Sequence, residues 1–327
     1  MTTRRGLLIA LGGVVLAAWP LASGAQEPRV RIAWLNGGSA AAFAIYVDAF
    51  KDGLRENGLV EGEHYVLDVR WAEGRYERLP ELVNQLLQRK PDVIVANTIA
   101  AVRATQQATA AIPIVMTGTN DPVGARLVAS LARPGGNTTG LSTMVEDVTG
   151  KLIDFLREVA PRAKQVAFVL NPGNPTNLPL FNNARGFAGS SGIAVSGVEL
   201  KRPDDLDSVF TGMIRQRPDA LLVAGDAMLN ALRDRVSALA LKHRLPVFTY
   251  QPDYTEAGAL LSYGPSQRAY YRRAATYVKK IVDGAKPADL PIEQPTRVEL
   301  SINLRTAEVL GIAIPRSMLL RADRIIR

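Results

Sequence analysis

From residue 30 onward the chain alternates short apolar, β-branched runs with longer stretches of helical period, a pattern few folds can accept. VRIAWLN is followed by AAFAIYVDAFKDGLRENG, where Phe43, Val47, Phe50 and Leu54 fall on one helical face and Gly58 marks the end. YVLDVRW precedes ERLPELVNQLLQRK, PDVIVANT precedes IAAVRATQQATAA, and PIVMTGTNDP closes the series. A stretch rich in Gly, Pro, Asn and Thr, NDPVGARLVASLARPGGNTTGLS, then interrupts it. TGKLIDFLREVAP, QVAFVLNPGNP, IAVSGVELK, PDDLDSVFTGMIRQRP, DALLVAGD, ALRDRVSALALKHR and PVFTYQ restart it. Strand following helix in this way predicts parallel sheets with crossover helices on both faces. The fold class expected is therefore α/β, as two doubly wound parallel-sheet lobes joined near Gly140 to Met144. The length of 327 residues, 47% of them hydrophobic, is enough for two such cores.

The amino terminus lies outside that pattern. Arg4 and Arg5 precede the apolar run GLLIALGGVVLAAWPLA, and Ser23-Gly24-Ala25 offers small residues for a peptidase. Residues 1–25 read as a secretory signal peptide cleaved after Ala25, which predicts a periplasmic protein. The run is short for an uncleaved membrane anchor; the paired arginines leave twin-arginine export as the alternative to the general secretory route. There is no cysteine, hence no lipid-attachment cysteine, no disulfide framework and no thiolate chemistry. The formal charge of +8 falls to +6 once Arg4 and Arg5 are removed, and the basic residues are scattered among acidic neighbours. They read as a solvated surface, and no nucleic-acid partner is expected.

In doubly wound sheets ligands bind at the carboxyl ends of the strands. Those ends are polar in both lobes. The first has Asn36-Gly37-Gly38-Ser39, Asn97-Thr98 and Thr117-Gly118-Thr119-Asn120-Asp121; the second has Asn171-Pro172-Gly173-Asn174, Gly225-Asp226, Thr249-Tyr250-Gln251 and Ser262-Tyr263-Gly264. Any one of Asn36, Asn97 or Asn174 could be a helix cap. Two facing rims of hydroxyls, amides and carboxylates together suit a small polar ligand held between lobes.

An enzyme in that crevice is not expected. His64, in the turn EGEHY, and His243, in the helix tail LKHRLP, are the only histidines; neither follows a strand, and both read as exposed. No cluster of metal-ligating types is present, and LNGGSAAAF lacks both the Walker lysine and the spaced dinucleotide glycines, so no cofactor is expected. Asp204 and Asp205 open a helix, where acids favour the positive end.

The chain resembles the ABC transporter substrate-binding proteins of the family that includes tryptophan and other aromatic amino-acid binders. The likeness runs through GLVEGEHY, VRWAEGRYERLPEL, KPDVIVANT, IPIVMTGTNDPVGARLVASLARPGGNTTGLS, LALKHRLPVF, EAGALLSYGP, YRRAATYVKKIVDGAKPADLPIEQPT and ELSINLRTAEVLGIAIP, in one order over essentially the whole mature chain. It implies the type I periplasmic binding-protein fold with a three-crossing hinge: residues 28–143 plus 265–292 as the first lobe, and 144–264 plus 293–327 as the second. It also implies a monomer that captures a small polar ligand, expected to be an amino acid and in particular an aromatic one, by hinge closure and presents it to an ABC permease in the membrane. A periplasmic protein feeding a membrane receptor, or a binder of a sugar or another small carboxylate, is the alternative.

An amino-acid ligand needs donors for its carboxylate and an anion for its ammonium group. Thr98 with Thr117 or Thr119, beside N–H groups at helix starts, are the expected carboxylate donors. Asp226 is the expected ammonium partner, its other reading being an N-cap; related amino-acid binders place an acid at the corresponding strand end. On this reading Asp226→Ala weakens ligand binding far more than folding. Asn120 shares the rim, and Asp121, before Pro122, either touches ligand or caps a turn. Asn171 and Asn174 either bridge ligand groups or hold the NPGNP turn. Tyr250 and Tyr263 are the expected aromatic contacts, with Asn36 at the first strand end, whereas Phe43 and Trp34 read as core and Trp71 as a plug at the sheet edge.

Overall fold

The computed structural model describes residues 30–143, 145–294 and 297–327. The signal peptide and its cleavage after Ala25 lie outside the described residues. The first series comprises β1 (Val30–Asn36), α1 (Ala40–Glu56), β2 (Tyr65–Trp71), α2 (Leu79–Leu87), β3 (Val93–Asn97), α3 (Ile99–Ala108), β4 (Ile114–Asn120) and β5 (Thr138–Thr143). Its five strands form an all-parallel sheet in the order β2-β1-β3-β4-β5. β1 and β3 are buried almost throughout because helices cover both faces, which is why their sequences run apolar without alternating.

The second series follows with α4 (Val145–Val159), β6 (Gln165–Leu170), α5 (Asn177–Gly189), β7 (Ala194–Glu199), α6 (Leu206–Ile214), β8 (Ala220–Val223), α7 (Ala227–Ala231), α8 (Arg233–Lys242), β9 (Val247–Thr249), α9 (Asp253–Glu256) and β10 (Leu261–Gly264). Then α10 (Gln267–Val282) returns to pack on α1, β4 and β5. The chain ends with β11 (Glu299–Asn303), α11 (Leu304–Leu310), α12 (Arg316–Arg321) and β12 (Arg324–Ile326), completing a seven-stranded sheet in the order β12-β11-β10-β9-β8-β6-β7.

One strand departs from the expected parallel arrangement: β11 runs antiparallel to β10, with Leu261 opposite Ile302. The route explains it. The chain leaves β10 at the sheet's carboxyl edge for α10, re-enters from the same edge, and can only run back the other way.

The cores follow from the periodicity, with one substitution of face. On α1 the buried positions are Phe43, Tyr46, Phe50 and Leu54, Tyr46 taking the place expected for Val47. Tyr271 of α10 stacks between Trp34 (centroids 5.1 Å apart) and Tyr46 (5.2 Å), and Phe50 meets the edge of Trp34 at 5.1 Å. The first lobe's hydrophobic core therefore depends on a helix that comes more than a hundred residues after its last strand.

The two sheets face each other with their carboxyl edges and are closed together. Tyr46 of α1 donates to Asp253 of α9, Arg75 pairs with Asp204 at 2.9 Å, and Arg233 donates to the Ala42 carbonyl at 3.3 Å.

Candidate functional site

Where the two edges meet lies a cleft enclosing about 610 Å³ of non-atom space, its solvent-facing part included. The first lobe lines it with Phe43, Asn97, Thr98, Asn120 and Thr143, and the second with Asn174, Thr176, Asp226, Asn230, Tyr250 and Gln251. Asn97, Thr98, Asn120, Thr143, Tyr250 and Gln251 end a strand or follow it within two residues, as expected for a crevice at the carboxyl ends.

Thr98 caps α3 in an unusual conformation, φ +79° and ψ 153°. Its Oγ1 accepts from Ala101 N at 3.3 Å, its carbonyl accepts from Val102 N at 3.1 Å, and its own N–H donates to the Thr117 carbonyl at 3.3 Å. These bonds hold a β-branched residue in a left-handed region that costs about 1–3 kcal/mol. Thr98 thus lines the cleft at the start of α3, a helix end whose first N–H groups have no intrahelical acceptor. Thr98→Gly should relieve the strain, since glycine also caps nearly as well. The expected outcome is a gain of about 1 kcal/mol in denaturant titrations together with weaker ligand binding; lost stability would show that the backbone there is relaxed.

Asp226 sits at the cleft, 3% exposed, with its carboxylate already surrounded. Oδ2 accepts from the Tyr76 hydroxyl at 2.7 Å and Asn174 Nδ2 at 3.0 Å; Oδ1 accepts from Leu229 N at 3.0 Å; Asn171 Nδ2 donates to both oxygens at 3.3 Å. A carboxylate offers about four acceptor positions, and the protein fills them. Asp226 therefore caps α7 and also lines the cleft. Burial, and then the Asp226 charge, push the Tyr76 hydroxyl well above the ordinary tyrosine range, so it stays a donor. Tyr76 comes from the first lobe, so this bond crosses between the lobes as those of Tyr46, Arg75 and Arg233 do.

The family model for ABC transporter substrate binding proteins matches residues 38–326. The chain belongs to that family. Among solved structures it is similar to a conserved domain protein of Vibrio cholerae O1 biovar eltor, at 29% identity and a TM-score of 0.84 over 90% of this chain and 99% of that one. It is also similar to the ABC domain in complex with L-Trp from Streptococcus pneumonia, at 24% identity and a TM-score of 0.83 over 91% and 99%. A tyrosine-binding protein of Clostridioides difficile is 23% identical over 80% of this chain and 75% of its own length. The architecture is that of type I periplasmic binding proteins. Among the described residues no helix is long and apolar enough to cross a membrane.

In this substrate-binding protein the residues singled out from sequence divide into three groups. Thr98, Asn120, Asn174, Asp226 and Tyr250 line the cleft. Asn36, Thr117, Thr119 and Asn171 are buried one layer beneath it: Asn36 Oδ1 accepts from Gly38 N at 2.7 Å, Thr117 and Thr119 are fully enclosed within β4, and Asn171 holds Asp226. These do not line the cleft because alternate strand residues point to opposite faces of the sheet and the next loop covers them.

Asp121 and Tyr263 lie away from it. Asp121 Oδ1 accepts from Gly124 N at 2.8 Å in a tight turn with φ +40°, beside a neighbouring groove bordered by Arg103 and Arg126. Tyr263 packs the edge of Phe155 at 5.2 Å on the second lobe's core, since β10 is paired on both sides and turns that ring toward α4. Conversely Phe43, read as core, lines the cleft while leaning edge-on against Tyr46. Tyr76, Asn230 and Asp253 escaped sequence reading, and Gln251 stood in the second lobe's rim without a role. Gln251 alone carried a signal, as the residue after Thr249-Tyr250 at a strand end. His64 and His243 are both exposed.

Proposed function

We infer that this substrate-binding protein captures an amino acid, an aromatic one by preference, between its lobes outside the cytoplasm and delivers it to the permease of an ABC importer. The observation that carries the reading is a cleft at the carboxyl edges of both sheets, polar on each rim and flanked by the rings of Phe43 and Tyr250. The lobes are taken as 28–143 with 265–292 and 144–264 with 293–327, hinged at the three passages between the sheets, and the working form as a monomer. Thr98 and the start of α3 would receive the carboxylate. A ring between Phe43 and Tyr250 gains apolar burial and edge contacts. The names of two relatives, one binding tyrosine and one in complex with L-Trp, support the aromatic preference. Because residues of both lobes would touch the ligand, binding favours the closed arrangement by the difference in affinity between the two forms.

A thermal-shift screen of protein unfolded and refolded to remove carried ligand tests this. An amino acid at a hundredfold its Kd should stabilise the fold by about 2.7 kcal/mol, with aromatic ones giving the largest shifts. Shifts with neutral sugars and none with amino acids would sink the reading.

A further inference from the structure

The hydrogen-bonding inventory of the cleft identifies which groups receive the ligand's amine, an inference that rests on the amino-acid reading above. Asp226, the obvious anion, has its acceptor positions filled by Tyr76, Asn171, Asn174 and Leu229 N. Among the described residues, the cleft-lining side chains that carry a buried atom without a partner are Asn230 and Gln251. In each the atom is the amide oxygen, an acceptor, and the residues are 1% and 8% exposed. Buried amide oxygens are seldom left unpaired, because the lost bond to water is not replaced. The cleft is thus built to receive donors on the second-lobe side.

The orientation of Asn230 is set from across the cleft. Tyr46 has one hydroxyl hydrogen, and it goes to the carboxylate of Asp253. The hydroxyl oxygen can then only accept, and it accepts from Asn230 Nδ2 at 3.3 Å. That fixes the amide with Oδ1 as its uncommitted end. Asn230 also stands one helical turn after Asp226, so the two share a face of α7. No described lysine or arginine pairs with Asp226.

We propose that the ligand's ammonium group is bound by the two neutral amide oxygens, Asn230 Oδ1 and Gln251 Oε1, with the Asp226 charge acting from behind them and Tyr46 as a positioning residue. An ammonium has three donors and a positive charge, and it satisfies both oxygens at once; a plain carboxylic acid satisfies neither. Since Tyr46 belongs to the first lobe and Asn230 to the second, the Asn230 amide is held in this orientation only when the lobes are closed. The amine is therefore the part of the ligand that distinguishes closed from open.

Calorimetric titration of the full chain with two matched pairs tests this: L-tryptophan against indole-3-propionate, and L-tyrosine against 3-(4-hydroxyphenyl)propionate. The amino acid of a pair should bind at least about 100-fold tighter than its amine-free partner. Gln251→Met should cut that ratio about tenfold or more by weakening the amino acid alone. Gln251→Glu, which keeps an acceptor, should retain the ratio and thereby shows that the position tolerates change. Tyr46→Phe frees the Asn230 amide to turn and should lower the ratio about tenfold, over and above any loss of affinity shared by both members of a pair through the missing Asp253 bond. Equal binding within a pair overturns the proposal while leaving a carboxylate-binding cleft. Ratios unmoved by both Gln251→Met and Tyr46→Phe overturn it in favour of Asp226 as the direct partner. Binding of neither pair removes the amino-acid reading itself.

Discussion

Replacing Asp226 by alanine is expected to remove about 3 kcal/mol of stability as well as ligand binding. The carboxylate caps α7 through Leu229 N, and loss of such a cap costs about 1 kcal/mol. Asn171 and Asn174, both nearly inaccessible, lose their acceptor, and each buried donor left unpaired adds a further cost of about 1 kcal/mol or more. Tyr76 can regain water by opening the cleft, so its lost bond should appear as a shift toward the open form. The expectation from sequence, that folding would be little affected, is revised for this reason. Urea unfolding of the variant decides it: an unchanged midpoint and slope would mean that the four-donor shell does not hold Asp226 in the folded protein.

Gly264→Ala should be similarly damaging, by about 3 kcal/mol, for a reason of space alone. A Cβ at this position would lie well inside contact distance of the Tyr250 carbonyl oxygen and 2.8 Å from its carbon. Both sides are backbone, held by the pairing of Leu261 with Phe248 and Ser262 with Thr249, so no rotamer change relieves the overlap. Yielding would displace Tyr250 and Gln251, and affinity should fall along with the melting temperature. Gly212→Ala is the matched control: it lies inside α6 with open space around its Cβ position, and should be neutral or stabilise by up to about 1 kcal/mol. Equal effects of the two substitutions would show that β9 and β10 are not packed as closely as described.

The architecture was legible because parallel sheets write themselves as apolar runs punctuated by helical period, and the strand-end rule then pointed to the cleft. It recovered Thr98, Asn120, Asn174, Asp226 and Tyr250, all of them within a few residues of a strand's carboxyl end. It could not rank neighbours on one strand, because whether Thr117 or Thr119 faces the ligand depends on the pleat and on the irregular β4–β5 register between Met116 and Thr119. It missed Tyr46, Tyr76 and Asn230, which sit on helices or in a loop and gain meaning only from a partner roughly 150 to 200 residues distant in the chain. Phe43 is core as expected, but its second role at the cleft was not legible, since an apolar helix face looks the same whether it meets a sheet or a ligand.

The return of α10 to the first lobe has a consequence for how the protein is made. All five strands of that lobe have been synthesised by residue 143, yet the helix bearing Tyr270, Tyr271, Ala274 and Val278 is complete only at residue 282. At ordinary elongation rates the gap is on the order of ten seconds, during which Trp34 and Phe50 lack their cover. Neither lobe is a contiguous piece of chain, and a nascent polypeptide halted at any point before α10 holds an unfinished first domain. Native structure must therefore be reached by the whole polypeptide late in its emergence, and anything that shields an aromatic face until then assists its yield.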